Sequence, residues 1–365
     1  MIADLEGSLM IVLDAHEDIA YNVLKYGRDY RHSALKTRER EAAEGLTYPG
    51  ATLGLPEALV GRVAIVFATL FVPPISTDGL PHDGFVEEYS TPQEAYRLAL
   101  KQLDYYHRLA DESPRVSLIR ERGELDKILK TWDDDQNIKN RQQGLVVLME
   151  GADPIIEPRQ FEEWYERGVR IVGPAWEETR YTAGTGRPGR LTKLGRELLE
   201  VMASFGAILD LSHMAEEAFL ESLDLYTGTI IASHSNPRHF RNTDRHLSDE
   251  MIRRLVERDG VMGIVLYNRF LSETWDKTRP KREVTIQTVA DAIDYVCQIA
   301  GSVAHVGLGS DFDGGFGVNQ IPYEFDTVAD LIRVSTVLRK RGYSEEDIEA
   351  IMGGNMLRKL REILK

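Results

Sequence analysis

Cysteine, net positive charge and long apolar runs are scarce or absent in this sequence of 365 residues. The single cysteine, Cys297, excludes an internal disulfide and any zinc or redox site built on a CxxC motif. A formal net charge of -15 argues against nucleic acid or an anionic membrane as the main partner, because both favour basic surfaces. No apolar run approaches the roughly 18 residues needed to span a bilayer, and the N-terminal segment lacks the basic region and cleavage site of a secretory signal. We therefore expect a soluble, cytoplasmic protein that acts on a small molecule, with a homodimer left open.

Phosphate-binding glycine motifs are also missing, since neither GxGxxG nor GxxxxGK[ST] follows an apolar run. Instead, short runs rich in Val, Ile and Leu alternate with helix-like segments, as expected for parallel strands buried on both faces. These runs are 9–14, 61–72, 144–150, 168–176, 206–213, 228–235, 260–268 and 305–314. Eight such runs predict an α/β fold, specifically a (β/α)8 TIM barrel, and an open doubly wound sheet is the alternative.

Two polar stretches interrupt this alternation. Residues 25–57 form a long polar segment, and residues 177–192 are rich in glycine and carry three arginines. We predict that both are loop excursions over the active-site face, where the loops of a barrel shape access for the substrate. The sequence shows no internal repeat and no linker, so the whole chain, 1–365, is predicted to be a single domain.

The predicted strands carry ionisable side chains at their C-terminal ends. His16 and Asp18 end the first strand, and their spacing places both side chains on one face of it. The other candidates are Glu150 after the third strand, His213 after the fifth, His234 after the sixth, and Asp311 with Asp313 after the eighth. The C-terminal ends of barrel strands meet at one face, where active sites of this fold are built. Residues with only structural roles would scatter between both ends, so this coincidence predicts a single site.

Imidazole and carboxylate ligands without thiolate indicate Zn, Mn, Fe or Co, of which zinc is the most common. The candidate ligands exceed the three that a catalytic zinc takes, and a carboxylate can bridge two ions about 3.5–4 Å apart. We therefore predict two divalent metal ions, with Zn2+ as the expected metal. His16 and Asp18 hold one ion, His213 and His234 hold the other, and Glu150 bridges them. Asp311 remains as the general base that orients or deprotonates the water.

With these residues, the chain resembles the renal (membrane) dipeptidase family of binuclear zinc peptidases, peptidase family M19, within the amidohydrolase-type barrels. The matching segments, in the family's order, are DAHEDIA, VLMEGAD, AILDLSHM, IIASHSNPR and VGLGSDFDGG, with GYSEEDIEAIMGGNMLRKL as the closing helix. The resemblance implies the same ligand set and places Asp311 beside the water between the ions. It also implies that a hydroxide bridging the metals cleaves the amide bond of dipeptides or related small carboxylate-bearing amides.

The resemblance further implies an arginine after the sixth strand that binds the substrate carboxylate. Arg245 is the best match, since a guanidinium suits bidentate carboxylate recognition, but Arg238 and Arg241 compete for this role. Trp176 or a neighbour stands where the dipeptidases carry a histidine that contacts the scissile carbonyl, and an indole cannot replace a titratable imidazole. The predicted substrate-binding residues are Arg245, Trp176, Tyr267 and Asp313.

The missing histidine leaves two alternative functions open. One is a barrel hydrolase for lactones, acylated amino acids or other non-peptide amides, for which simple L,L-dipeptides would be poor substrates. The other is a metal-binding barrel without hydrolytic activity. The retained Asp311 argues against this second alternative, since a site without catalysis needs no general base.

Overall fold

The computed structural model describes residues 10–48, 50–75, 87–134 and 137–365. Within these ranges most strands are parallel and belong to one sheet that closes on itself. In chain order the strands are β1 (Val12–Glu17), β2 (Val63–Phe71), β3 (Val116–Leu118), β4 (Gln143–Glu150), β5 (Val169–Gly173), β6 (Thr182–Gly184), β7 (Arg187–Leu191), β8 (Ile208–Asp210), β9 (Ile230–Ala232), β10 (Val261–Ile264) and β11 (Val306–Leu308).

The sheet closes because β2 pairs with both of its neighbours, β1 and β4. Around the barrel the order is β2, β1, β11, β10, β9, β8, β5 and β4, all in parallel. The short strand β3 pairs only with the first residues of β4 and lies outside this circle. The predicted (β/α)8 barrel is therefore confirmed, and each predicted apolar run contains one barrel strand. Closure rules out the open doubly wound sheet.

Helices connect the strands and cover the outside of the barrel. They are α1 (Ile19–Tyr26), α2 (Ala34–Ala43), α3 (Leu55–Val60), α4 (Pro92–Glu112), α5 (Arg122–Lys130), α6 (Phe161–Glu166), α7 (Lys193–Phe205), α8 (Glu216–Leu225), α9 (Asp249–Glu257), α10 (Ile286–Ala300), α11 (Arg333–Lys340), α12 (Glu345–Glu349) and α13 (Asn355–Ile363). Every residue of β1, β2 and β4 is buried, because helices pack on the outer face and side chains fill the interior. Among the described residues, no helix combines the length and the apolarity that crossing a bilayer requires.

Local sequence signals explain where the helices begin and end. Thr91 begins α4 with a capping box, in which its hydroxyl accepts from the Glu94 N–H and the Glu94 carboxylate accepts from the Thr91 N–H. Thr192 caps α7 by accepting from the Gly195 N–H at 3.0 Å, and Gly206 ends that helix at a φ of 71°.

The two polar excursions take different structures. Residues 177–192 contain the antiparallel hairpin β6–β7, which continues into the loop after β8 through a bridge between Gly184 and Met214. Residues 25–57 contain α2 and are tied to the end of β11 by Asp313. The Asp313 carboxylate accepts from the N–H and the hydroxyl of Thr52 at 2.8 and 2.7 Å.

Close backbone approach fixes the strand ends on one side of the barrel. A methyl group on either Gly263 or Gly309 would lie 1.9 Å from the carbonyl oxygen of Ser233, the residue that follows β9. Only glycine at both positions lets the ends of β10 and β11 approach β9 this closely. The position of Ser233, and of His234 after it, therefore depends on these glycines.

Gly309→Ala is expected to destabilise the protein by about 1–3 kcal/mol, the usual effect of overpacking a well-packed interior. Gly123→Ala, in the first turn of α5, is the matched control, because its methyl group would meet nothing closer than 3.7 Å. Urea unfolding followed by circular dichroism measures both variants. Equal unfolding midpoints for Gly309→Ala and the unaltered protein would contradict the close-approach argument.

Candidate metal centre and its cavity

The predicted ligands converge at the C-terminal ends of the barrel strands, with Glu150 at their centre. One of its oxygens, Oε2, lies 3.4 Å from Nε2 of His16. The other, Oε1, lies 3.2 Å from Nε2 of His213 and 3.3 Å from Nε2 of His234. One oxygen of Glu150 therefore faces His16, and the other faces His213 and His234.

The two remaining predicted carboxylates lie on the His16 side of Glu150. Donor atoms of His16, Asp18 and Asp311 all fall within 4.8 Å of one another, as do those of His16, Glu150 and His234. Asp18 is oriented by the hydroxyl of Thr69 on β2, which donates to its Oδ1. The structure thus brings together all five predicted ligands and the predicted base.

The residues present fit a divalent metal centre. Both ring nitrogens of His16 are buried without a hydrogen-bond partner, which is costly unless another group binds them. Imidazole nitrogens and carboxylate oxygens without thiolate are the donors that zinc and neighbouring first-row ions accept. The fit rests on this donor chemistry and on the unpartnered nitrogens of His16.

Electrostatics also favour added positive charge at this position. Burial lowers the pKa of His16, but Glu150, Asp18 and Asp311 outweigh burial and raise this pKa to about 10. Burial raises the pKa of Glu150, but His16 and the other imidazoles hold it well below its usual range. The pKa of Asp311 is raised well above its usual range, mainly by burial. Burial, with His16 and Arg245 nearby, lowers the pKa of His234. The carboxylates thus compete for the positive charge of a single imidazole.

A buried hydrogen-bond chain sets the tautomer of His234. The Ser233 hydroxyl donates to Oδ2 of Asp210 at 2.5 Å and lies 2.8 Å from Nδ1 of His234. Because this hydroxyl donates its only proton to the carboxylate, it accepts a hydrogen bond from the Nδ1–H of His234. The Nε2 atom of His234 is then unprotonated and faces Glu150. The same carboxylate accepts from the Ser233 N–H at 2.7 Å.

Thr185 of the β6–β7 turn plays the corresponding part for His213. Its Oγ1 lies 3.0 Å from Nδ1 of His213 and donates to the His213 carbonyl at 3.4 Å, so it accepts from the ring. His213 has a φ of 67°, a left-handed conformation that is uncommon for a residue with a side chain. The predicted excursion 177–192 therefore contributes directly to the site.

The same arrangement recurs at β1 and β11, and only β10 lies between β11 and β9. Asp14 of β1 accepts from the Ser310 N–H at 2.7 Å and from the Ser310 hydroxyl. Asp311 follows at a φ of 59°, with its N–H donating to the His16 carbonyl at 3.2 Å. A strand aspartate thus positions the serine before Asp311, just as Asp210 positions the serine before His234.

Reasoning from the sequence missed these supporting residues. Asp14 and Asp210 both lie inside apolar runs, LMIVLDAH and GAILDLSH. An acid inside a buried strand must find hydrogen-bond donors, so this pattern is the signal that could have identified them.

A cavity of about 310 Å³ opens above the candidate centre. Arg245 lines it, is buried, and donates to the His234 carbonyl at 2.7 Å, while its Nε lacks a hydrogen-bond partner. Arg238 instead pairs with Glu216 at 2.7 Å, and Arg241 donates to backbone carbonyls. Neither of these two arginines is among the residues that line the cavity. The geometry therefore favours Arg245 over its two competitors.

The remaining predicted substrate-binding residues divide into two groups. Trp176 and Tyr267 line the cavity. Asp313 is buried and is not among the lining residues, because Thr52 and Arg28 engage its carboxylate. In this structure Asp313 joins the excursion 25–57 to the barrel.

Comparison with known proteins places the chain among dipeptidase-like sequences. The family model described as membrane dipeptidase (peptidase family M19) matches residues 7–365. An uncharacterised protein of Klebsiella pneumoniae, encoded in the pqqA 5' region, is 31% identical over 66% of this chain and 90% of its own length. An uncharacterised dipeptidase of Schizosaccharomyces pombe is 28% identical over 73% of this chain and 62% of its own length.

A solved structure shares the fold over nearly the full chain. It is a metallopeptidase from Rhodobacter sphaeroides in complex with a phosphinate mimic of the dipeptide L-Ala-D-Ala. The two chains superimpose with a TM-score of 0.77 at 23% identity, covering 97% of this chain and 99% of the other. This likeness independently supports the barrel architecture.

Ser233→Ala is expected to weaken metal binding by about 10- to 100-fold, the usual effect of removing a group that orients a ligand histidine. The variant loses the acceptor for the Nδ1–H of His234 and the hydroxyl that donates to Oδ2 of Asp210. Competition with a chromophoric chelator measures the affinity, and Co2+ absorption reports the ligand geometry. Ser335→Ala is the matched control, since Ser335 is equally buried but its hydroxyl donates to Ile332 in a helix far along the chain. Equal affinities in the two variants would contradict the orienting role.

Proposed function

The chain belongs to the membrane dipeptidase family, peptidase family M19, and on this premise we propose that it is a metal-dependent hydrolase that cleaves the amide bond of dipeptides. The observation that carries the proposal is the placement of Glu150. Its two oxygens face His16 on one side and His213 with His234 on the other, at 3.2–3.4 Å. A carboxylate held in this way is suited to bridging two cations.

We assign the ligands in two sets that share Glu150. His16 and Asp18 complete one set, and His213 and His234 complete the other. Zinc is the metal that best suits these donors. When bound, the two ions would polarise the scissile carbonyl and lower the pKa of the attacking water.

Asp311 supplies proton transfer in this proposal. Its Oδ1 lies 3.9 Å from Nε2 of His16, and Asp311 is among the residues that line the cavity. Bound cations would oppose the rise in pKa that burial causes, so that Asp311, ionised, would accept the proton of the attacking water and then return it to the leaving amine. The left-handed backbone at Asp311, with Ser310 anchored to Asp14, holds the carboxylate toward the cavity.

Arg245 supplies recognition of the substrate carboxylate. It is the arginine that lines the cavity, and its Nε lacks a partner within the protein. A guanidinium binds a carboxylate through two parallel hydrogen bonds, which fixes the direction of a short substrate. The solved Rhodobacter sphaeroides structure holds a dipeptide mimic, and this supports a substrate of that size.

The metal-loaded protein is expected to hydrolyse dipeptides, and the chelator-treated protein is expected to be inactive until zinc is restored. Elemental analysis of the reconstituted protein should approach two equivalents per chain, because the ligands form two sets. A reproducible single equivalent would contradict the bridging role of Glu150. A fully loaded protein that hydrolyses no dipeptide would overturn the proposed function itself.

Asp311→Asn is expected to keep its metal and to lose about 10²- to 10⁴-fold in kcat, since an amide cannot accept the proton of water. Activity and metal content are measured on the same samples. If the variant instead lost metal and recovered activity when metal was resupplied, Asp311 would be a ligand and not the base.

A further inference from the structure

Three aromatic rings that line the cavity form a continuous row, here called the first wall: Tyr21, Phe71 and Trp176. The ring centroids of Tyr21 and Phe71 lie 5.3 Å apart, and those of Phe71 and Trp176 lie 5.1 Å apart, both edge to face. Trp176 then approaches the imidazole of His213, with a centroid distance of 6.3 Å. The first wall therefore reaches the metal centre at His213.

A second row of aromatic rings also lines the cavity, here called the second wall, and is formed by Phe316, Tyr267 and Phe270. Phe316 and Tyr267 are stacked with centroids 4.3 Å apart, and Tyr267 meets Phe270 edge to face at 5.0 Å. The guanidinium of Arg245 lies 5.5 Å from the ring of Phe270. The second wall therefore ends at the arginine, not at the metal centre.

The first wall ends at His213 and the second wall ends at Arg245, so the two walls define how a dipeptide would be oriented in the cavity. This step rests on the proposed function. A dipeptide whose carboxylate binds Arg245 has its C-terminal residue beside the second wall. Its amide bond then lies over Glu150, and its N-terminal residue extends past His213 toward the first wall. We propose that the first wall is a subsite that selects dipeptides with an aromatic N-terminal residue.

The chemistry of the first wall suits an aromatic side chain better than a small or polar one. Tyr21 and Phe71 are buried, whereas Trp176 is partly exposed to the cavity and can extend the row of rings to a substrate. The hydroxyl of Tyr21 accepts from Lys25 at 3.1 Å, so the polar end of that ring is already engaged. Aromatic rings attract one another at centroid distances of about 4.5–7 Å, in addition to the apolar area they bury.

The experiment compares kcat/KM for three dipeptides, Phe-Ala, Ala-Phe and Ala-Ala, with the zinc-loaded enzyme. We expect Phe-Ala to exceed Ala-Ala by about tenfold or more. Trp176→Ala should reduce this ratio to about one. Phe316→Ala, a truncation of the second wall, should keep the ratio of Phe-Ala to Ala-Ala and lower that of Ala-Phe to Ala-Ala. Tyr323→Ala, at a side chain 60% exposed, is the surface control and should change neither ratio.

A binding measurement separates selection by the wall from any effect on catalysis. Calorimetry with phosphinate mimics of Phe-Ala and Ala-Ala should show the aromatic mimic binding about tenfold more tightly, and Trp176→Ala should abolish the difference. If Trp176→Ala fails to fold, Phe71→Leu is the second variant. It keeps an apolar side chain of similar size and should reduce the difference in affinity in part.

The outcomes distinguish the two proposals. Equal rates for Phe-Ala and Ala-Ala, or a preference that survives Trp176→Ala, would overturn the aromatic subsite and leave the dipeptidase function intact. Absence of hydrolysis for all three dipeptides, with full metal content, would overturn the dipeptidase function. In that event a preference for the aromatic mimic in calorimetry would still support the subsite, and equal binding would overturn it too.

Discussion

A buried carboxylate surrounded by imidazoles is the constraint on which the rest of this structure depends. Glu150 ends β4 with almost no exposure to solvent and has no lysine or arginine beside it at ion-pair distance among the described residues. Removing an ion from water costs several kcal/mol, and the interior must compensate with opposite charge or strong hydrogen bonds. Among the described residues the protein supplies one imidazole whose pKa is raised, His16, against Glu150, Asp18 and Asp311, so the carboxylates outnumber the positive charge beside them and bound cations would balance the remainder. The barrel therefore places at the C-terminal ends of its strands a site whose electrostatics favour bound cations.

A metal ligand must present an unprotonated ring nitrogen. For His213 and His234, residues just outside the ligand set hold the Nδ1–H and leave Nε2 unprotonated. Asp210 and Ser233 hold His234, and Thr185 holds His213, at distances of 2.5–3.0 Å. The strands that carry these groups, β8 and β9, have three residues each, so they have little rigidity of their own. The residues that follow these strands are held in position by pairing within the closed sheet and by the glycines that allow β10 and β11 to approach the Ser233 carbonyl.

The barrel, and the convergence of the candidate ligands at one end of it, could be predicted from the sequence because both follow from local patterns. Each apolar run overlaps a barrel strand, and each predicted ligand lies at the C-terminal end of a strand or within three residues after it, so topology alone brings His16, Glu150 and His234 together. Contacts between distant segments could not be predicted in this way. The partner of Asp313 is Thr52, 261 residues away in sequence, and no local pattern links the two. The choice of Arg245 over Arg238 likewise depends on which side chain the loop after β9 turns inward.

If the first wall is the proposed subsite, one substitution changes which part of the substrate the site discriminates. Where the resemblance to dipeptidases places a histidine that contacts the scissile carbonyl, this chain has Trp176 or a neighbour. An imidazole there interacts with charge that develops in the transition state, so its effect appears in kcat. Contact between an indole and a substrate side chain is the same in the ground state and the transition state, so it strengthens capture of the preferred substrate without accelerating the chemical step. Under the proposed function, the exchange would move discrimination from the reacting carbonyl to the side chain of the N-terminal residue, while the proposed metal centre and Arg245 would act on the groups that all dipeptides share.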